Sequence, residues 1–477
     1  MSTNTPSPRQ PDDYDDPALA GQQLAVTQPT AAAPAGGETG HPPALLFMFW
    51  GEFAERASYY GMRTILFLYL TTQFGLSDAV AGSTYSYFKA ACYFLPLLGG
   101  FLADRFFGKY WTIVGFSVPY VIGQLLIGFA DQYTIFLALA LLAMGSGVIK
   151  PNISALLGQT YDQKRPGNGV LRANAFMWFY FSVNLGATIS MALLPWVRDA
   201  YGYKAAFLIP AALMALALVI FAIGKRHYAT ETVGPAPPST PEERALRWKT
   251  LRGLFGIFFL MIFFWVPYEH NDSLWVAYAR DQLDLTLPSW LGGKALSPDA
   301  FQWVNGALIL ILVPASLWFW PKVDPTGKRF PHTTKILMGL VFTATGPATL
   351  ALTGALGGGD KPSFLWLMLA YLLLTVGEVL VYGTMLDLSY AYAPPSMKGF
   401  VTACFLVTNA LGNMINTQWI PFYEKPHTVF EGTALESTFA GIPPATYFSI
   451  DAGIALAAAV VFFFVGRSFN RANAAAA

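Results

Sequence analysis

Long, mostly apolar runs recur along the chain from about residue 44 to about residue 467, and nothing else in the sequence limits the fold so strongly. A helix needs about 20 such residues to cross the hydrocarbon of a bilayer. That ruler predicts about twelve spans, at roughly 44–72, 78–104, 109–130, 133–159, 168–197, 204–224, 251–283, 299–321, 335–356, 363–393, 398–422 and 445–467. Short alternating segments of the barrel type do not compete with them. The composition agrees: 54% of residues are hydrophobic and 12% charged, against about 25% charged in soluble domains. So little polar surface cannot cover a water-facing globule. Aromatic residues make up 16% of the chain, in keeping with the Trp and Tyr that gather at membrane interfaces. The expected class is an all-α, multi-pass membrane protein in contact with the lipid bilayer.

Basic residues fall mainly after even-numbered runs, among them Arg105, Lys109, Lys164, Arg165, Lys225, Arg226, Lys322 and Lys398. The positive-inside rule then predicts that both termini are cytoplasmic. A basic segment at 225–250, broken by Pro235, Pro237, Pro238 and Pro241, divides the runs six and six. The expected organisation is a disordered tail (1–43), an N-terminal bundle (44–224), a connector (225–250), a C-terminal bundle (251–467) and a short tail (468–477). The tail has no apolar core of the signal-peptide kind. Cys92 and Cys404 lie inside apolar runs without metal-ligand spacing, so no metal is expected. A net charge of +1 and the lack of a basic stripe outside the loops argue against a nucleic-acid partner. Gly100-Phe-Leu-Ala-Asp104-Arg105-Phe-Phe-Gly108-Lys109, between the second and third runs, resembles the loop motif of the major facilitator superfamily. The resemblance implies two six-helix halves around a central cavity.

Nine ionisable residues fall well inside the runs: Glu52, Glu55, Arg56, Arg63, Lys89, Lys150, Glu269, Asp272 and Glu378. Each costs roughly 2.5–3.5 kcal/mol at the bilayer centre, so together they would cost more than about 20 kcal/mol if they faced lipid. They are expected to face water and one another. In the first run Glu52, Glu55, Arg56, Tyr59, Tyr60 and Arg63 recur at spacings of three and four, which places them on one helical face. Five acids against four bases leave one surplus negative charge, which a proton can relieve.

The string Glu52-Phe-Ala-Glu55-Arg56-Ala-Ser-Tyr59-Tyr60-Gly61-Met62-Arg63 resembles the first-helix motif of the proton-dependent oligopeptide transporter (POT) family. Further matches follow in order: Gly147-Val-Ile-Lys150-Pro151-Asn152, Phe179-Tyr180-Phe-Ser-Val-Asn184-Leu-Gly186, Phe264-Trp265 before Glu269, Gln302-Trp-Val-Asn305, and Gly377-Glu378 with Ser389-Tyr390 and Ala393-Pro394 beyond. The resemblance covers about residues 44–465. It implies a proton-coupled symporter of di- and tripeptides that works by alternating access, with protons as coupling ion and no cofactor. It also implies that Arg63 and Lys150, with Arg56 nearby, take the peptide carboxylate, and that Glu378, helped by Asn184 and Asn305, takes the ammonium. Tyr59, Tyr60, Tyr93, Trp265 and Tyr268 would supply sequence-tolerant walls. Glu52, Glu55 and Arg56, together with Lys150 and Glu269, match the family's proton-coupling group. A monomer in the plasma membrane, the inner membrane if the source is bacterial, is the expected setting.

Three departures from the family pattern stand out. Ser86 occupies the place of a functional second-helix histidine of mammalian members, Lys89 falls at a usually apolar position, and His270-Asn271-Asp272-Ser273 follows Glu269 where Gln-Gly-Ser is common. His270 is a candidate for the proton path, because histidine ordinarily titrates near neutrality. Competing readings are a transporter of another solute such as a nitrate-like anion, or a peptide sensor. A membrane enzyme is disfavoured by the absence of His-Glu-x-x-His, Gly-x-Ser-x-Gly and cofactor fingerprints.

Overall fold

The structure, a computed structural model, describes residues 40–231, 233, 240–324, 329–356, 361–392, 398–424, 427–429 and 437–474. Most of the 1–43 tail, the proline cluster of the connector and Ala393-Pro394 therefore lie outside the described residues. The helices are α1 (Ala44–Thr72), α2 (Asp78–Leu102), α3 (Lys109–Ile127), α4 (Thr134–Lys164), α5 (Gly169–Ile223), α6 (Pro241–Tyr268), α7 (Leu274–Gln282), α8 (Trp303–Val323), α9 (His332–Leu356), α10 (Leu365–Tyr392), α11 (Lys398–Trp419) and α12 (Pro444–Ala474). A two-stranded antiparallel ribbon, β1 (His427–Val429) with β2 (Ser437–Phe439), joins the last two. Among the described residues nine helices are long and apolar enough to cross a membrane. The architecture is thus all-α and membrane-spanning, as the apolar runs predict.

Boundaries agree with the apolar runs at Gly202 and differ from them at three places, each for a local reason. Residues 168–197 and 204–224 fall in two helical stretches within α5, separated by a non-helical kink at Gly202. Gly202 has φ +82°, a left-handed conformation that only glycine adopts without strain. Residues 251–283 are interrupted by a single 3₁₀ turn, Glu269–Asp272, between α6 and α7. Pro267 removes one backbone donor just before that break. α6 starts at Pro241, inside the segment read as connector, where the Thr240 side chain and Glu243 form a capping box. α12 continues past residue 467 to Ala474.

One apolar cluster fills the N-terminal half, built on α1–α5 residues such as Met62, Leu66, Leu142, Leu156 and Phe207. Two more fill the C-terminal half, around Met261, Phe264 and Phe405, and around Trp275, Tyr371 and Phe448. Alpha-1 is tied to its bundle by Ser58, whose hydroxyl donates to Pro210 O (2.7 Å) and accepts from Gln124 Nε2 (3.0 Å). The connector is anchored as well. Glu231 accepts from the backbone N–H groups of Lys109 and Tyr110, both at 2.9 Å, at the N-terminus of α3, where a carboxylate is favoured by orphan donors and the helix dipole.

The halves touch most closely at one end. Arg280 Nη2 meets Asp78 Oδ2 (2.8 Å), Arg198 pairs with Asp299 and donates to Ser297 Oγ (2.5 Å), Gln302 Nε2 donates to Thr64 O (3.0 Å), and Ser83 donates to Thr417 O (2.9 Å). Each contact joins α1, α2 or α5 to an element of the C-terminal half. This is the end where α1 finishes and α2 begins. Among the described residues no such polar bridge joins the halves at the end that holds the connector.

Candidate functional site

The first-helix stripe forms a buried ion cluster. Arg56 Nε lies 2.8 Å from Glu52 Oε1 and 2.5 Å from Glu55 Oε2, with all three side chains at most 5% exposed. One turn further, the Tyr59 ring collects three cations: Arg56 at 5.9 Å, Arg63 at 5.8 Å and Lys150 at 4.8 Å from its centroid. Such cation–ring contacts are worth more once desolvated. Lys150 also stands 5.1 Å over the Tyr93 ring.

Lys150 is aimed by its helix. Pro151 cannot donate to the preceding turn, and beside it Asn152 Nδ2 bridges Val148 O (2.7 Å) and Gly99 O of α2 (3.1 Å). That bond fixes α4 against α2 beside Lys150. Among the described residues Lys150 has no carboxylate partner, to Glu52 and Glu55 or to any other, and its side chain is half-buried.

Across the bundle Glu378 of α10 is also half-buried and accepts from Asn305 Nδ2 of α8 at 2.8 Å. Asn305 is itself oriented by Thr375 Oγ1 at 3.0 Å. Glu378 too has no basic partner among the described residues. Tyr60 lies within electrostatic reach of Glu378, Arg63 and Arg56, and Tyr180 and Tyr382 reach the same carboxylate. These half-open tyrosines with Tyr93 and Tyr268 line the space between the halves. Trp265 is more enclosed: its indole donates to Thr408 Oγ1 (3.0 Å) and its ring meets Tyr268 and Tyr382. Asn184 turns back to Tyr180 O at 2.9 Å, on its own helix.

A second ion cluster bridges the halves. Lys89, fully buried, pairs with Glu269 Oε2 (2.7 Å) and donates to Asp272 Oδ1 (2.7 Å) and Glu269 O (2.9 Å). Arg63 Nη2 meets Asp272 Oδ2 at 2.7 Å, and Asn409 Nδ2 donates to Glu269 Oε1 at 2.6 Å. The 3₁₀ turn makes this possible, since residues i and i+3 of such a turn eclipse and present both acids to one side. Its freed backbone is satisfied locally: Tyr371 donates to Asn271 O (2.7 Å) and Asn271 Nδ2 to Tyr268 O (2.6 Å). Irregular backbone at membrane depth requires such partners.

The structure therefore brings Glu52, Glu55 and Arg56 together, with Lys150 over the Tyr59 ring, and holds Glu378 against Asn305 in the other half. It places Arg63 and Glu269, assigned by resemblance to substrate and proton, in the inter-half cluster instead, with Lys89 and Asp272. Sequence reading passed over Asp451 and Asn409. Asp451 is a lone carboxylate within the last apolar run, and Asn409, Asn413 and Asn416 recur at helical spacing in α11; both patterns were visible. Among the described residues no group of three or more His, Cys, Asp or Glu side chains is placed to hold a metal ion.

Fold and site define a polytopic helical transporter rather than an enzyme, with buried charges at and between two bundles of the major facilitator type. The PTR2 model, which describes the POT family, matches residues 110–240 and 240–435, and the chain belongs to that family. The chain is 26% identical to "Uncharacterized transporter YclF" of Bacillus subtilis (strain 168), over 84% of this chain and 92% of that one. It is likewise 26% identical to "Dipeptide and tripeptide permease B" of Xenorhabdus bovienii (strain SS-2004), over 78% and 86%. The solved structure of the POT family transporter PepTSo superposes with a TM-score of 0.76 at 26% identity, covering 91% of this chain and 99% of that one. The chain spans about half the length (51%) of the human protein "Solute carrier family 15 member 1", to which it is 30% identical.

Proposed function

We propose that this protein is a proton-coupled symporter that imports di- and tripeptides by alternating access, with twelve spans and both termini in the cytoplasm of the plasma membrane. One observation carries the substrate reading. Of the ionisable groups deep in the bundle, Lys150 and Glu378 are the two left without an ion partner among the described residues; they have opposite signs and come from opposite halves. A zwitterion with an ammonium at one end and a carboxylate at the other supplies what each lacks. A plain anion would have no use for Glu378. The tyrosine walls bind by shape and ring face and so tolerate varied side chains. The relatives of this chain include "Dipeptide and tripeptide permease B", which supports the same class.

In this reading the Glu52–Glu55–Arg56 cluster couples the proton. Protonating a glutamate releases its bridge to Arg56, and loss of the proton restores it and helps expel the peptide. The conformation is then inward-facing: polar bridges close the outer end and none joins the halves at the connector end among the described residues.

The test is uptake of labelled di-alanine into proteoliposomes with and without an inward proton gradient. Gradient-dependent accumulation, blocked by unlabelled di- and tripeptides and lost in K150A and E378Q, is the expected result. E52Q and E55Q should lose accumulation but keep counterflow exchange; intact uphill uptake in both sinks the coupling assignment. Binding without accumulation would indicate a sensor, and no binding would return the search to nitrate-like solutes.

A further inference from the structure

The inter-half turn carries a titratable side chain that the transport scheme leaves unused. Within Glu269–Asp272 the two acids face the N-terminal half, while His270 projects the other way, into the C-terminal bundle. There His270 Nδ1 meets Asp451 Oδ2 of α12 at 2.8 Å, and both side chains are 0% exposed. The other carboxylate oxygen accepts from Trp419 Nε1 of α11 at 2.8 Å. Among the described residues Asp451 has no lysine or arginine beside it, so the charge of the pair depends on His270. The groups that face it are Tyr447 of α12, whose ring centroid is 5.7 Å away, Trp419 of α11, and Tyr371 of α10, whose hydroxyl is committed to Asn271 O. Beyond its own neighbours Glu269 and Asp272 stand Lys89 and Arg63.

We propose that the His270–Asp451 pair is a proton-binding site inside the C-terminal half, read out by the inter-half bridges through the one-turn segment that both share. Binding takes one proton from water: its bond forms at the Nε2 lone pair, and the pair passes from one negative charge to none. Buried, that unit of charge has no counter-ion to hide it. Nε2 has no hydrogen-bond partner among the described residues, so the conformation seen here offers a proton on Nε2 nothing to donate to. A protonated Nε2–H calls for an acceptor, and any movement that supplies one displaces the turn carrying Glu269 and Asp272. Proton occupancy and closure of the bridged end are then reciprocally linked. The inference goes beyond the transport reading and does not need it.

The experiment places spin labels at Tyr133 and Trp290, exposed positions at the bridged end in opposite halves, with Cys92 and Cys404 replaced by Ala. Inter-label distances are measured in substrate-free proteoliposomes from about pH 8 to about pH 5, a range in which an ordinary histidine titrates. Acidification should shift the parent toward longer distances. H270Q and D451N, which keep a hydrogen bond between the two positions, should lose that response. H332Q, which alters the more exposed His332–Asp387 contact, should keep it. An unchanged response in H270Q and D451N, or equal loss in H332Q, overturns the proposal. Should those variants fail to fold, a chain with His41, His227, His332 and His427 replaced by Gln leaves His270 as the sole histidine. Its imidazole carbon resonance should move over the same pH range as the distance change, and an invariant resonance refutes the site. Neither readout involves a peptide, so failure here is separable from failure of the symport reading.

Discussion

Lys89 illustrates how a single side chain reorganises a buried network. The Lys89 ammonium makes two hydrogen bonds and one further ion pair, and with Arg63, Glu269 and Asp272 the four charges cancel. Removing one partner of a buried ion pair typically costs about 3–5 kcal/mol, whereas removing both charges together can be near neutral. K89M should therefore destabilise the protein strongly in detergent thermal unfolding, and K89M/D272N should recover much of the loss. Additive losses in the double variant would show that the two do not act as a pair. Sequence reading placed Lys89 and Asp272 inside the membrane but gave neither a partner, because pairing across some 180 residues depends on the tertiary arrangement. The first-helix stripe was legible for the opposite reason: Glu52, Glu55 and Arg56 are joined by the local period of the helix. Asp451 was overlooked since hydropathy averages a lone acid away.

Helix limits follow local chemistry that an apolarity ruler does not measure. At Gly202 a Cβ would meet nothing within 4 Å, so the glycine is needed for its φ of +82° rather than for space. G202A should then cost roughly 1–3 kcal/mol through positive-φ backbone strain alone, seen as a lower unfolding temperature with the apolar clusters undisturbed. The start of α4 depends on Asp131, whose carboxylate accepts from the Tyr133 and Thr134 backbone N–H groups and from the Thr134 hydroxyl. The Thr134 backbone bond is the chief cause holding this carboxyl below the ordinary carboxylate range. A depressed folded-state value gives stability that is present above the unfolded value and lost as pH falls through the folded one. D131N should therefore weaken the protein slightly at neutral pH and make little difference in acid, a contrast that melting curves at two pH values would register. The break between α6 and α7 was hidden within one apolar run, though Pro267 marked its approach.

At the scale of the whole molecule the bridges gathered at one end set which way the proposed transport path opens. Arg198–Asp299 and Arg280–Asp78 join opposite halves, and only interactions that differ between two conformations can shift their populations. The double variant D78N/D299N should raise the population open at that end, detected as increased labelling of a cysteine placed at Tyr93; unchanged labelling would mean these pairs exist in both states. The two-bundle plan and the central charges were readable from run lengths and the mid-chain basic segment, while the direction of opening was not, because it rests on contacts between residues far apart in sequence. The other end is limited by different means. Glu231 pins the connector to the start of α3, and ten residues of chain link it to Pro241, where α6 begins. Fully drawn out, a tether of that contour reaches about 35 Å. A swing that parted the two anchor points further would first have to pull the carboxylate from its seat, which makes that small dock a mechanical stop on the transporter's stroke.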